Sequence, residues 1–215
     1  MGDIHGRWDK FWDLWEKINF QPQEDFLIFL GDYVDRGKES ARVLDWMCEQ
    51  QKEKNIVMLR GNHEQMMLDY CKNPDYEINW LMNGGGWCRN EIERLTDEHI
   101  KTYLEFIKNR PLFHRMKIKG RDYFFCHAGV RPGVPLDKQR EDDLLWLREE
   151  FFDYYEGETM IVVGHTPMMW FGREAKPWHV EGRNILMVDT GSYFLEGCIS
   201  CVDLLSGELW QSHKG

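Results

Sequence analysis

The stretch Gly31-Asp32-Tyr33-Val34-Asp35-Arg36-Gly37 decides the fold of this chain, because it directly follows the continuous apolar run Phe26–Leu30. An apolar run of this length that is ended by glycine predicts a buried strand. Ligand sites in α/β sheets form at the carboxyl ends of such strands. The sequence therefore predicts an α/β protein with a polar site that includes Asp32.

Four other short motifs combine glycine with polar side chains, and each follows a predicted strand. They are Asp3-Ile4-His5-Gly6, Gly61-Asn62-His63-Glu64, Cys126-His127-Ala128-Gly129 and Gly164-His165-Thr166. The first motif leaves almost no room for a strand before it. We expect either a very short first strand or a natural chain that starts earlier than this numbering. All five motifs are predicted to deliver their side chains to one sheet edge.

The pattern as a whole predicts one domain over residues 1–215, with no repeat and no linker. Apolar periodicity predicts helices over 7–19, 40–51, 64–71, 97–108 and 141–152. Strands are predicted over 26–30, 56–59, 113–119, 122–126, 160–163, 184–188, 197–205 and 208–211. The alternation of strand and helix, followed by a β-rich half, predicts an α/β (α+β) fold of two packed sheets with helices outside.

Composition argues against several classes of partner. The formal net charge is -10 and the six cysteines are irregularly spaced. An acidic chain is a poor match for nucleic acid or an anionic membrane, because those partners need a basic face. A chain of this length does not need disulfides, so we expect reduced cysteines and a cytoplasmic protein. No apolar run is long enough to span a bilayer.

The donor types point to two neighbouring divalent metal ions. Asp3 and His5 are two residues apart, so an extended backbone directs both side chains toward one ion. Asp32 has two carboxylate oxygens and can bridge both ions. The second ion would take its other ligands from Asn62, His127 and His165. Mixed donors suit ions such as Mn²⁺ or Fe²⁺, and a pair about 3.5–4 Å apart activates water for attack on a phosphoester.

The leaving oxygen of a phosphoester needs a proton, and His63 is placed to supply it. His63 adjoins the ligand Asn62, so its ring can project over the site without binding metal. Asp35 is the expected partner that orients this ring. Guanidinium groups bind phosphate oxygens, often through two hydrogen bonds. The expected phosphate contacts are Arg36, Arg60 and Arg148.

The motifs resemble those of the phosphoprotein phosphatase family of metallophosphoesterases. The matching patterns are GD-x-HG, GD-x-VDRG, GNHE, HAG and GHT, and the resemblance runs from Gly2 to about Leu205. Two other stretches are similar to the bacterial and bacteriophage branch, which includes the bacteriophage lambda serine/threonine protein phosphatase. They are Asn83-Gly84-Gly85-Gly86-Trp87 and Leu145-Trp146-x-Arg148.

The resemblance implies a single calcineurin-like domain that folds as a four-layer metallophosphoesterase sandwich, with two mixed β-sheets flanked by helices. It implies a dinuclear metal centre, usually of manganese, with iron, nickel or zinc as alternatives. Position by position it implies the same roles as the donor chemistry does. These roles are those of the six metal ligands, of the general acid His63 with its partner Asp35, and of the three phosphate-binding arginines.

Three functions stay open. The first is a serine/threonine, or dual-specificity, phosphatase of phosphorylated proteins and peptides. The second is a hydrolase of nucleotides or small phosphoesters that resembles the symmetrical diadenosine tetraphosphate hydrolases. The third is an inactive phosphopeptide-binding module. Asp35 favours the first, because an acidic partner for His63 at this position resembles the protein phosphatase branch.

The segment Met168-Met169-Trp170-Phe171-Gly172 is bulky and apolar. A lid, a substrate-side rim and plain packing are all compatible with it.

Overall fold

The computed structural model describes residues 1–215, and the chain is a mixed α/β protein. Its first half contains the helices α1 (Trp8–Ile18), α2 (Ser40–Gln50), α3 (Asn62–Lys72), α4 (Glu77–Met82), α5 (Gly86–Ile92) and α6 (Asp97–Lys108). The strands of this half are β1 (Leu27–Phe29) and β2 (Ile56–Met58). They pair in parallel, with Leu27 opposite Ile56 and Phe29 opposite Met58.

The second half contributes a five-stranded mixed sheet. Its strands are β3 (Phe113–Ile118), β4 (Arg121–Cys126), β5 (Met160–Val163), β6 (Trp178–His179) and β7 (Ile185–Met187). The spatial order is β3-β4-β5-β7-β6, in which β4, β5 and β7 are parallel and both edge strands are antiparallel. Helices α7 (Glu141–Trp146) and α8 (Glu149–Tyr154) connect β4 to β5. The last strands, β8 (Ser200–Val202) and β9 (Leu209–Gln211), form an antiparallel pair.

Met1 and Gly2 bridge β1 to β8. The Met1 amino group donates to the Ile28 carbonyl at 2.7 Å, and the Leu30 amide donates to the Met1 carbonyl at 3.1 Å. On the other side, the Gly2 amide donates to the Ser200 carbonyl at 3.0 Å. The predicted first strand is thus represented by two residues, which place Asp3 beside the end of β1.

Three apolar clusters fill the spaces between layers. One surrounds Phe29, between β1 and the helices of the first half. A second, around Leu30 and Phe125, lies between the two sheets, and a third, around Phe124 and Phe151, lies between the five-stranded sheet and α8. Phe124 and Phe125 serve different clusters because successive strand residues point to opposite faces. The predicted fold class, two packed sheets flanked by helices, is confirmed.

Several predicted bounds were wrong. The predicted helix 141–152 is interrupted at Leu147 and Arg148, because Arg148 adopts φ -126° and ψ -103°. The predicted strand 197–205 is shortened to β8, because the Leu205 and Ser206 amides donate to the Asp203 carboxylate in a turn. The predicted helix 64–71 begins at Asn62 instead.

Helices α4 and α5 were not predicted, since each is short and glycines separate them. None of the helices combines the length and the apolar character that crossing a bilayer requires. All six cysteines are free.

Candidate active site

The six expected metal ligands meet at one end of the two sheets. Four of them follow strands: Asp32 follows β1, Asn62 begins the helix after β2, His127 follows β4 and His165 follows β5. The other two, Asp3 and His5, follow the Met1–Gly2 bridge. None of the six is more than 5% exposed. The carboxyl ends of strands from both sheets therefore form one buried polar cluster, as the motif positions predict.

Asp32 lies at the centre of this cluster. Its Oδ2 is 3.6 Å from His5 Nε2 and 3.9 Å from His63 Nε2, whereas its Oδ1 is 3.3 Å from His127 Nε2. The two carboxylate oxygens thus face different groups of nitrogen donors. This is the arrangement that a carboxylate needs in order to bridge two cations.

The first donor group contains Asp3 and His5. Asp3 Oδ2 is 4.0 Å from His5 Nε2, and the Asp3 carboxylate accepts from the His165 amide at 3.0 and 3.2 Å. His5 Nδ1 donates to the Val34 carbonyl at 3.1 Å. That bond leaves Nε2 as the nitrogen that faces the carboxylates and can bind an ion.

The second donor group contains Asn62, His127 and His165. Asn62 Oδ1 is 2.8 Å from His127 Nε2 and 2.9 Å from His165 Nδ1. His127 Nδ1 donates to the Leu30 carbonyl at 2.8 Å, which orients the ring with Nε2 toward the cluster. Three donor atoms from three separate segments therefore converge beside Asp32 Oδ1.

The charges of the cluster fit divalent cations. Burial, followed by the nearness of Asp189 and Asp32, raises the pKa of Asp3 well above its usual value. Burial also raises the pKa of Asp189 to about 6. In His5 and His165, burial lowers the pKa well below the usual value, so both imidazoles are neutral, the form that binds metal. Crowded carboxylates next to neutral imidazoles are a donor set that cations would stabilise.

The backbone of the site is held in an uncommon conformation. Seven non-glycine residues of the chain have a positive φ, and five of them are expected site residues: His5, Asp32, Asp35, Arg36 and His165. Left-handed backbone costs energy for residues with a Cβ, and such residues concentrate at functional sites. Two motif glycines allow their backbone segments to lie close to the carboxylates of the site. A Cβ on Gly61 would overlap Asp32 Oδ1, and a Cβ on Gly164 would overlap Asp3 Oδ1.

His63 forms a buried pair with Asp35. His63 Nδ1 is 2.6 Å from Asp35 Oδ2, and Trp80 Nε1 donates to the same oxygen at 2.7 Å. On the opposite side of the ring, Arg36 Nη2 donates to His63 Nε2 at 3.2 Å. The ring is therefore fixed at both nitrogens, with Nε2 directed toward the metal-ligand cluster.

A family model described as calcineurin-like phosphoesterase matches residues 1–189 of this chain. The chain belongs to this family. The phosphoesterase is 30% identical to serine/threonine-protein phosphatase 1 of Salmonella typhimurium, over 90% of this chain and 86% of that protein. This likeness confirms the resemblance to the bacterial phosphoprotein phosphatases.

Proteins with another name are similar as well. The phosphoesterase is 23% identical to the asymmetrical bis(5'-nucleosyl)-tetraphosphatase PrpE of Anoxybacillus flavithermus, over 90% of this chain and 85% of that protein. A crystal structure provisionally named a diadenosine tetraphosphatase has the same fold, with a TM-score of 0.73 and 18% identity. That comparison covers 100% of this chain and 92% of the other.

The three expected phosphate-binding arginines of the phosphoesterase lie on different segments of the chain. The Arg36 guanidinium lies 4.1 Å from the centre of the Tyr193 ring. Arg148 Nη1 donates to the Thr166 hydroxyl at 2.8 Å and to the His165 carbonyl at 3.2 Å. Arg60 Nη2 forms a 3.1 Å ion pair with Glu141 on α7. The break between α7 and α8 is what allows Arg148 to reach the strand end after β5.

The segment 168–172 lies beside Arg148. Met168 is buried in the third apolar cluster, whereas Trp170 is 57% exposed. The Arg148 guanidinium lies 4.5 Å from the centre of the Trp170 ring. The segment therefore combines packing with support of Arg148.

Sequence reasoning assigned no role to several residues of the phosphoesterase site. Trp80 and Tyr193 have no feature in the sequence that distinguishes them from other aromatic residues. Asp189 lies outside the five motifs. Glu64 was visible as the last residue of a motif, but its function was not. Its carboxylate is fully buried and accepts from four backbone amides at 2.7–3.2 Å, those of Asp32, Tyr33, Val34 and Gly61.

We expect Glu64→Gln to destabilise the protein by about 3 kcal/mol. One carboxylate oxygen becomes an NH₂ group, which leaves two buried amide donors without an acceptor, either those of Asp32 and Gly61 or those of Tyr33 and Val34. Urea unfolding of the chelator-treated protein measures the change. The matched control is Glu49→Gln on the exposed side of α2, which should lie within about 0.5 kcal/mol of the parent. Equal stability of the two variants would show that Glu64 does not brace the turn that carries Asp32.

Proposed function

We propose that this phosphoesterase is a metal-dependent phosphoprotein phosphatase that acts on phosphoserine and phosphothreonine, with phosphotyrosine as a further substrate. The observation that carries the proposal is the 2.6 Å pair of His63 and Asp35. An acidic partner at this position is the feature that favoured the protein phosphatase branch. The likeness to the Salmonella phosphatase supports the same choice.

The metal ligands are proposed as the sequence motifs assign them. Asp3, His5 and Asp32 would hold the first ion. Asp32 would also bind the second ion, together with Asn62, His127 and His165. Two divalent ions, with Mn²⁺ as the expected metal, would activate water at neutral pH and offset negative charge on the phosphoryl group.

His63 is proposed as the general acid for the leaving oxygen. A guanidinium group can only donate, so the 3.2 Å contact with Arg36 means that His63 Nε2 accepts and carries no proton in this arrangement. A phosphate group would draw Arg36 toward its own oxygens. His63 Nε2 is then free to hold a proton, and Asp35, fixed by Trp80, stabilises the resulting imidazolium.

The phosphate is proposed to be bound by arginines from three sides. Arg36 and Arg148 are each supported by an aromatic ring, at 4.1 and 4.5 Å from the ring centres. Arg60 would exchange its ion pair with Glu141 for the phosphate. A groove of about 550 Å³ is lined by Tyr76 and by Trp146, whose ring centre is 6.2 Å from that of His165. This groove would have room for the residues beside a phosphorylated side chain.

A dinucleoside tetraphosphate hydrolase is the second candidate. The similarity to PrpE and to the structure provisionally named a diadenosine tetraphosphatase favours it. The chemistry of the metal site is the same for both substrates, so the two candidates differ in what the surrounding surface binds.

Chelation followed by metal readdition tests the proposal. We expect a chelator to abolish hydrolysis. Readdition of Mn²⁺, Fe²⁺, Ni²⁺ or Zn²⁺, each tested separately, then measures how far each metal restores the activity. Phosphoserine and phosphothreonine peptides should be turned over faster than diadenosine tetraphosphate at equal concentration. Faster cleavage of the dinucleotide would favour the second candidate. Phosphopeptide binding without any turnover, even of p-nitrophenyl phosphate with Mn²⁺, would identify an inactive binding module.

A further inference from the structure

Lys10 on α1 is buried in an unusual way for a lysine. Its side chain is 0% exposed, and none of its hydrogen-bond acceptors is a carboxylate. The ammonium group donates to the carbonyls of Ser192 at 2.8 Å, Phe194 at 3.3 Å and Gly197 at 2.7 Å. All three N–H donors of a lysine are thus used by one loop. A buried ammonium is costly unless it is satisfied in this manner.

The loop that Lys10 binds, residues 191–197, is closed on itself. The Phe194 amide donates to the Gly191 carbonyl at 2.9 Å, and the Gly197 amide donates to the Phe194 carbonyl at 3.1 Å. Three carbonyl oxygens turned toward one point repel one another, and the lysine cation offsets that repulsion. Lys10 therefore has the position that a bound cation has in a carbonyl-lined loop.

The 191–197 loop reaches the candidate active site through Tyr193. The Tyr193 ring centre is 5.1 Å from that of His5, with the rings nearly perpendicular at 86°. On its face the Arg36 guanidinium lies at 4.1 Å, a cation–π contact. One loop thus connects the Lys10 ammonium to a proposed metal ligand and to a proposed phosphate ligand.

We infer that Lys10 is a positioning residue, which holds the 191–197 loop so that Tyr193 keeps Arg36 and His5 in place for phosphate binding. The inference rests on the proposed function, in which Arg36 binds the phosphate. The Lys10 ammonium is bound entirely to carbonyls of the loop, so its effect on the site passes through the loop. A lysine that only stabilised α1 would leave Arg36 unaffected.

The test compares Lys10→Met with Lys17→Met in the manganese-loaded protein. Methionine retains most of the apolar stem and removes the ammonium. Lys17 lies on the same helix, is 45% exposed and pairs with Asp13, so its replacement is the matched control. We expect Lys10→Met to weaken binding of inorganic phosphate about tenfold, as loss of a supporting group does at other sites. Calorimetry measures this affinity, and Lys17→Met should leave it unchanged.

Hydrogen exchange of the amides in 191–197 provides a second readout that needs no turnover. We expect faster exchange in Lys10→Met and unchanged exchange in Lys17→Met. Unchanged exchange, or unchanged phosphate affinity, in Lys10→Met overturns the inference. Both readouts apply even when the parent hydrolyses no phosphopeptide, so failure of the proposed function is recognised separately. Lys10→Gln, which keeps two N–H donors but no charge, gives the same test if the methionine variant does not fold.

A double-mutant cycle separates positioning from general stability. Tyr193→Ala should weaken phosphate binding by itself, and adding Lys10→Met to it should cause little further loss. Additive losses would mean that Lys10 acts independently of Tyr193, and would overturn the proposed route.

Discussion

Asp32→Asn is expected to remove bound metal and phosphoesterase activity together. Asp32 directs Oδ2 toward His5 at 3.6 Å and Oδ1 toward His127 at 3.3 Å. A neutral amide has one oxygen for metal binding, and its NH₂ group would face the other set of donors. Both proposed ion sites are therefore damaged by one change, and the loss of activity should exceed the roughly 10²–10⁴-fold typical of losing a general acid.

Metal analysis after gel filtration and turnover of p-nitrophenyl phosphate with added Mn²⁺ measure the two effects of Asp32→Asn. Asp122→Asn is the control, because the Asp122 side chain is 57% exposed and pairs with Lys117 at the surface. It should retain both metal and activity. Full metal occupancy in Asp32→Asn would show that this carboxylate does not bridge the ions.

His63→Asn is expected to lower kcat by about 10²–10⁴-fold with metal content intact. The ring is paired with Asp35 and turned toward the cluster, but it is assigned to neither group of metal ligands. The loss should be larger for a phosphoserine peptide than for p-nitrophenyl phosphate. The serine alkoxide is the poorer leaving group, so it depends more on a proton from the enzyme.

Comparison of the two substrates makes the His63 test specific. His99→Asn is the control, since His99 is exposed on α6 and forms a hydrogen bond with Thr96. This control variant should leave both rates unchanged. An equal loss for both substrates would assign His63 to binding instead of proton transfer. An unchanged kcat would remove His63 from the reaction.

Much of the candidate site follows from local patterns. Apolar runs ended by glycine identified β1 and β2, and helical periodicity located α1, α2 and α6. The donors after those strands could be placed at one edge, because the carboxyl ends of parallel strands coincide in space. Arg148 shows where this reasoning fails. The helical periodicity of residues 141–152 gave no sign of the break in the backbone at Arg148. That break directs the Arg148 side chain to Thr166.

Residue types and their distance from a strand end are local properties of the chain. The sequence alone was therefore sufficient to predict the phosphoesterase family, the fold class and the candidate donors. Only the tertiary structure shows three contacts of the site and its surroundings: Trp80 with Asp35, Glu64 with the Asp32 turn, and Lys10 with Ser192. These pairs are 45, 32 and 182 residues apart. No periodic pattern encodes such contacts, because they depend on how the layers pack and on which buried polar groups must find a partner.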